Sequence, residues 1–227
     1  NNLILQNNKD GKCFKKSRFF EGNFTEEEKS WLNQAADFLE SMEDQKLIHI
    51  IPLERYTVNL AIKIMRKYAK VFGVEIFCLD TFKESCDSYK TDTWKTMERD
   101  MRALYDTIKE TALNVGLFVT YQLSKASVKT SYLTSADIGD VMSVNLMIRR
   151  PFPDEYEGGR NQIKYIKPDR QTKTEIPATL DPTKRYMILF ICKNRFGSAD
   201  PYQIVMECNL NTNIIKEVGT CHVKQDF

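Results

Sequence analysis

The sequence predicts an α/β chain with a mainly parallel sheet flanked by helices and an antiparallel edge at its C-terminal end. Three observations lead there. Short apolar runs at residues 47–51, 74–79, 117–122 and 144–148 have the length and composition of buried strands. Amphipathic stretches of helical period separate them, as βαβ units require. After residue 185 the pattern changes to three short runs joined by polar turns, the mark of an antiparallel meander.

Thr25-Glu26-Glu27-Glu28 has capping-box spacing, and Trp31, Leu32, Ala35, Phe38, Leu39 and Met42 follow at helical period, so a helix is expected over 26–43. The run LIHII at 47–51, ended by Pro52, reads as a buried strand. Thr57 is placed to cap a helix whose inner face would carry Leu60, Ala61, Ile64, Met65, Tyr68 and Phe72, closing at Gly73. VEIFCLD at 74–80 is the next strand. Trp94, Met97, Met101, Leu104, Ile108, Ala112 and Val115 then step by three or four residues, predicting a long helix that stops at Gly116.

LFVTYQ (117–122) and VNLMI (144–148) are the remaining parallel strands. Residues 151–185 hold five of the seven prolines and many charges, and are expected to be a long loop or excursion. The runs 186–192, 202–208 and 213–218 would form the meander on the sheet edge. The domain reading is a helical segment over 1–45 and a core over 46–227.

Lys plus Arg (33) nearly balance Asp plus Glu (31) among 227 residues, so overall charge does not mark a polyanion-binding protein. Nowhere do 18 apolar residues run together, which argues against a membrane span. The opening NNLILQNNKDGK lacks an initiator Met and a signal-peptide pattern, so a fragment or processed chain is expected. The six cysteines show no pair two residues apart, and only His49 and His222 are available to complete a metal set. Cys78, Cys192 and Cys208 sit inside apolar runs as small hydrophobes, so reduced thiols and a cytoplasmic location are expected.

An apolar strand ending in a carboxylate, as at Asp80, is how nucleotide hydrolases hold magnesium through water; such an Asp equally caps a turn. Gln122, at the end of the next strand, would sense a γ-phosphate or bond a loop. Lys193-Asn194-Arg195 follows an apolar run and precedes Gly197. Strand alternation sends the two cations to one side, as a phosphate clamp or as an ordinary solvated turn.

In this order VEIFCLD, a long helix, VTYQLSK, LTSADIGDVMSVNLMIRR and ILFICKNRFGSAD resemble the RecA-like motor domain of DnaB-type replicative DNA helicases, over about residues 47–218. The resemblance implies an ATPase acting at subunit interfaces of a ring-shaped homo-hexamer, with ATP and Mg2+ as cofactors and single-stranded DNA as partner. A primase or loader is a further partner. It makes Asp80 the magnesium-side acid and Gln122 the residue that couples nucleotide to the DNA loop. It matches Ser135, Asp140 and Arg149 to a Ser, an acidic turn and a strand-end Arg, and it makes Lys193 and Arg195 the finger inserted into a neighbour's ATP site. Lys125 and Lys129 fall in the DNA-gripping loop.

No G-x-x-x-x-G-K-[ST] occurs in the chain, and Gly11-Lys12 is followed by Cys13, so the phosphate cradle has no counterpart here. The chain by itself is therefore expected to be inactive. The alternative is a non-catalytic RecA-like module that binds nucleic acid or a protein partner.

Overall fold

The computed structural model describes residues 16–83, 85–86, 93–110, 113–122, 141–168, 175–197 and 202–223. The chain divides into two compact units, one drawn from Asn1–His49, Leu146–Ile191 and Ala199–Lys224, the other from Ile50–Asn145, Cys192–Ser198 and Gln225–Phe227.

The second unit carries the parallel pairing. Helix α3 (Val58–Phe72) starts at Thr57, whose hydroxyl accepts from the Leu60 amide, and ends at Gly73, whose φ of 69° is the left-handed value that favours glycine. Its inner face is Val58, Ala61, Ile62 and Met65, rotated from the expected one; Leu60 and Phe72 are exposed. Both stripes have helical spacing, and what lies opposite the helix selects between them.

Strands β1 (Ile76–Leu79) and β2 (Gly116–Val119) pair in parallel, Ile76 facing Gly116 and Leu79 facing Val119. Phe77, Leu79, Leu117 and Val119 pack on a core of Tyr56, Met65, Phe82, Met101 and Leu104, each fully buried large side chain contributing roughly 1.5–3 kcal/mol. Helix α4 (Thr93–Ile108) turns Asp100, Met101, Leu104 and Thr107 inward. It ends well before Gly116, which is already the first residue of β2. Asn114 takes the positive φ of 45° that redirects the chain, and the Gly116 amide bonds the Glu75 carbonyl at 2.8 Å.

The first unit contains helices α1 (Lys16–Glu21) and α2 (Glu26–Asp44). The expected capping box is formed: the Thr25 hydroxyl accepts from the Glu28 amide, and the Glu28 carboxylate accepts from the Thr25 amide. The 47–51 run is not a strand. Lys46 adopts φ 58°, its amide bonds the Glu43 carbonyl, and the Leu47 amide reaches back to the Met42 carbonyl, a Schellman closure. The Leu47 amide is thereby committed to the helix end, and Ile50 stands 78% exposed.

Six strands form the larger sheet, in order β3-β6-β7-β8-β4-β5, with β3 Val144–Arg149, β4 Lys164–Pro168, β5 Glu175–Thr179, β6 Tyr186–Asn194, β7 Gln203–Asn209 and β8 Ile214–Cys221. The β6-β7, β7-β8, β8-β4 and β4-β5 pairs are antiparallel. A mainly parallel sheet is thus not what forms; parallel pairing is limited to β1-β2 among the described residues. The meander exists, but as the middle of this sheet. The 151–185 stretch, expected to be a loop, supplies a 3-10 turn (Pro153–Glu155) and the β4-β5 pair. Its prolines fit these strands because Pro177 lies in the edge strand β5 and Pro168 ends β4 beyond its pairing with β8, places where a missing amide is tolerated.

Candidate functional site

The parallel register of β1 and β2 determines what gathers at their C-terminal ends. With Leu79 opposite Val119, the next residues on the two strands, Asp80 and Thr120, fall side by side. The Asp80 carboxylate accepts a hydrogen bond from the Thr120 hydroxyl and one from the Thr81 hydroxyl at 3.0 Å. These bonds, Thr120 first, hold its carboxyl below the ordinary aspartate value despite the opposing effect of desolvation, so it is a carboxylate at neutral pH. The Thr120 amide bonds the Leu79 carbonyl at 3.1 Å, and the Phe82 amide bonds the Thr120 carbonyl at 2.7 Å, which fixes the exit of both strands.

Gln122 follows two residues later and is exposed, beyond the end of β2. Its neighbour Tyr121 turns inward and donates to the Asn145 side-chain oxygen at 3.2 Å; burial pushes its hydroxyl up to about 12.

The second cluster of the same unit surrounds Arg195. The Asn194 side-chain oxygen accepts from the Phe196 amide at 3.0 Å, closing the turn that follows β6. The Arg195 amide bonds the Ser143 carbonyl at 2.9 Å, and its guanidinium Nη1 donates to the Tyr105 hydroxyl at 3.1 Å. Lys109, one helical turn beyond Tyr105, brings its ammonium 4.2 Å from the centre of that ring. The Lys109 ammonium is the largest cause that draws the Tyr105 phenol below its ordinary value, with Ser143 and the Arg195 charge adding to it and desolvation opposing. Lys193 lies at the end of β6, half-buried. Lys125, Lys129, Ser135 and Asp140 lie outside the described residues.

Arg149 is not a surface residue. Its guanidinium makes a two-pronged pair with Glu155, both bonds 2.7 Å, and the two side chains are 2% and 7% exposed. Phe152 and Phe190 rings flank it at 4.5 and 5.3 Å, and Glu155 also accepts from the Phe152 amide. This pair ties the end of β3 to the 3-10 turn.

Beside it in the first unit is a cavity of about 510 Å3 whose lining includes Arg150, Lys184, Arg185, Tyr156, Tyr186 and Cys208. Two of its tyrosine rings lie 6.4 Å apart, and Lys184 is paired with Glu207 at 2.9 Å.

For magnesium, the donors at hand are hard oxygens: one carboxylate and two hydroxyls. No group of three or more His, Cys, Asp or Glu residues able to hold a metal occurs among the described residues. Asp80 alone suits Mg2+ in the manner the ion prefers, with water and substrate phosphates completing the shell. The Thr81 and Thr120 hydroxyls both donate to Asp80 Oδ1, so Asp80 would be the one anionic oxygen ligand here for a Mg2+ ion, leaving most of its shell to other groups.

The sequence names Asp80, Arg149 and Arg195 but not the residues that contact them in the structure, Thr120, Glu155 and Tyr105. Thr120 was accessible in principle from the parallel register. Tyr105 carries no motif and meets Arg195 only by folding, whereas Glu155 lies six residues from Arg149 in a proline-rich turn.

No protein-family model matches the sequence, and no curated protein is significantly similar to it. A solved structure of a DnaB-like replicative helicase, described with its interactions with primase, superposes with a TM-score of 0.58 at 14% identity, covering 86% of this chain and 42% of that one. The chain thus spans less than half the length of that helicase. At this identity the likeness concerns the fold: the chain is folded like part of a DnaB-like replicative helicase.

Proposed function

We propose that this chain is part of an ATP-dependent replicative DNA helicase motor, working as a hexameric ring in the cytoplasm, in which ATP hydrolysis at subunit interfaces drives movement along single-stranded DNA. The observation that carries the reading is the fold likeness to a DnaB-like replicative helicase over most of the chain. The order of the motifs adds to it, with Asp80 at a parallel strand end and Arg195 on an ordered turn.

In this reading Asp80 anchors Mg2+ and Gln122 couples the nucleotide to the DNA loop. Lys193 and Arg195 meet the phosphates of the neighbouring subunit's nucleotide, where a guanidinium stabilises transition-state charge. Lys125 and Lys129 follow the DNA backbone, and a primase or loader docks on the ring. The phosphate cradle must come from residues that this sequence does not include. The lack of that cradle among the 227 residues is also what favours the second reading, a non-catalytic module for nucleic acid or a protein partner.

The test is DNA-stimulated ATP turnover by the assembled protein. Arg195→Ala is expected to remove turnover by about 10^3-fold or more while nucleotide binding and the melting temperature stay near wild type. Mixing it with Asp80→Ala subunits is expected to restore part of the activity at mixed interfaces. No DNA-stimulated turnover by the wild type, or full activity of both single variants, would leave the module reading standing.

A further inference from the structure

We infer that Tyr105, on the α4 face beside the core stripe, is a positioning residue that holds the Arg195 guanidinium ready for a neighbouring subunit's phosphate. The inference rests on the reading of Arg195 as an interface finger. A long side chain at a strand end ordinarily samples many rotamers, and ordering it at the moment of reaction costs conformational entropy.

Here the side chain is held at both ends. The Arg195 amide is bonded to the Ser143 carbonyl, and the Asn194-Phe196 turn bond sets the direction in which the side chain leaves the backbone. At the far end Nη1 donates to the Tyr105 hydroxyl. Tyr105 is itself fixed: it is on the well-packed helix α4, next to Leu104, which is fully buried, and its ring is covered by Lys109. A phenol suits this task better than a carboxylate. It accepts a hydrogen bond from the guanidinium without neutralising it, so the full positive charge stays available to a phosphate. Lys109 and Arg195 are both drawn to the same phenol, which keeps two like charges in one small area.

The experiment is steady-state DNA-stimulated ATP turnover by the assembled protein, comparing wild type, Tyr105→Phe, Arg195→Ala and the double variant. Tyr105→Phe keeps the ring and removes the hydroxyl. It is expected to lower kcat about five- to tenfold with KM for ATP and melting temperature unchanged. In the Arg195→Ala background it is expected to have no further effect, because a residue acting through Arg195 has nothing left to act on.

Unchanged or raised kcat in Tyr105→Phe, with Arg195→Ala inactive, overturns the positioning role and leaves the finger reading intact. Wild-type turnover in Arg195→Ala sinks the finger reading, and the positioning role with it. A measurement that needs no variant is the NMR signal of the Arg195 Nη groups in the 227-residue chain. A held guanidinium gives separate Nη resonances from slowed rotation about Nε–Cζ, and a single averaged signal contradicts the inference.

Discussion

At the scale of single residues, burial decides what a charge is for. Arg149 and Glu155 form an ion pair away from water, and the Arg149 Nε is buried without a hydrogen-bond partner, so the pair is already imperfectly compensated. Removing one partner leaves the other charged in an apolar setting. Glu155→Ala is therefore expected to destabilise the protein by about 3–5 kcal/mol, read from chemical denaturation. The contrasting case is Arg102–Glu98 on α4, a 2.6 Å pair with the arginine more than half exposed. Glu98→Ala is expected to cost no more than about 0.5 kcal/mol. Similar costs for the two variants would mean that the Arg149 environment is wetter than the structure describes. A strand-end arginine in a motif thus has a structural role here, which no reading of VNLMIRR alone reveals.

At the scale of elements, close approach between strands sets the constraints. Gly219 in β8 has φ 158°, and a β-carbon there would lie 2.1 Å from the Ile166 carbonyl oxygen of β4. The register of β7 against β8 shifts at the same place, between Val205 and Met206, so the glycine sits where the sheet is irregular. Gly219→Ala must push β4 from β8, and the expected loss is about 2 kcal/mol or more in thermal or denaturant unfolding. By comparison Gly158, with φ 82° and open space around its would-be β-carbon, has only its backbone conformation to lose, about 1 kcal/mol as alanine. If the two substitutions cost the same, the β4-β8 approach is looser than described. The same sheet accommodates the prolines of 151–185: Pro177 lies in the edge strand β5, and Pro168 is the last residue of β4, past its pairing with β8.

At the scale of the whole molecule, function depends on what the chain lacks as much as on what it has. Asp80 is held as a carboxylate by Thr120 and Thr81, but one carboxylate cannot replace the backbone amides and lysine that grip β- and γ-phosphates. Purified chain is expected to release no phosphate from ATP above an Asp80→Ala control. Activity that disappears with Asp80 would reveal a phosphate site elsewhere in the 227 residues. Under the proposed reading, replacing both Lys125 and Lys129 with Ala is expected to weaken single-stranded DNA binding by the assembled ring equally for unrelated sequences. The slope of log affinity against log salt should also flatten, by about 0.7 for each lysine–phosphate pair that the substitution removes. An unaltered slope would remove this loop from the mechanism.

Local signals determined a good part of the molecule. The capping box at Thr25, the Thr57 cap, the Gly73 stop, β1 and the three-strand meander are all written in short stretches, because caps, periods and turns are satisfied by neighbours in the chain. The places of Asp80 and Arg195 just beyond strand ends were legible for the same reason, as polar residues at the ends of apolar runs. Tertiary structure alone decided the rest. The exception is LIHII, whose Leu47 amide is taken by a Schellman closure at the helix end, a local bond that its apolar composition hides. Which stripe of α3 is buried depends on what packs against it. The sheet's antiparallel order follows from strands far apart in sequence, and so do the partners of Asp80 and Arg195. The Thr120–Asp80 and Tyr105–Arg195 contacts join residues 40 and 90 apart and form only when the chain closes over distances that no local pattern encodes.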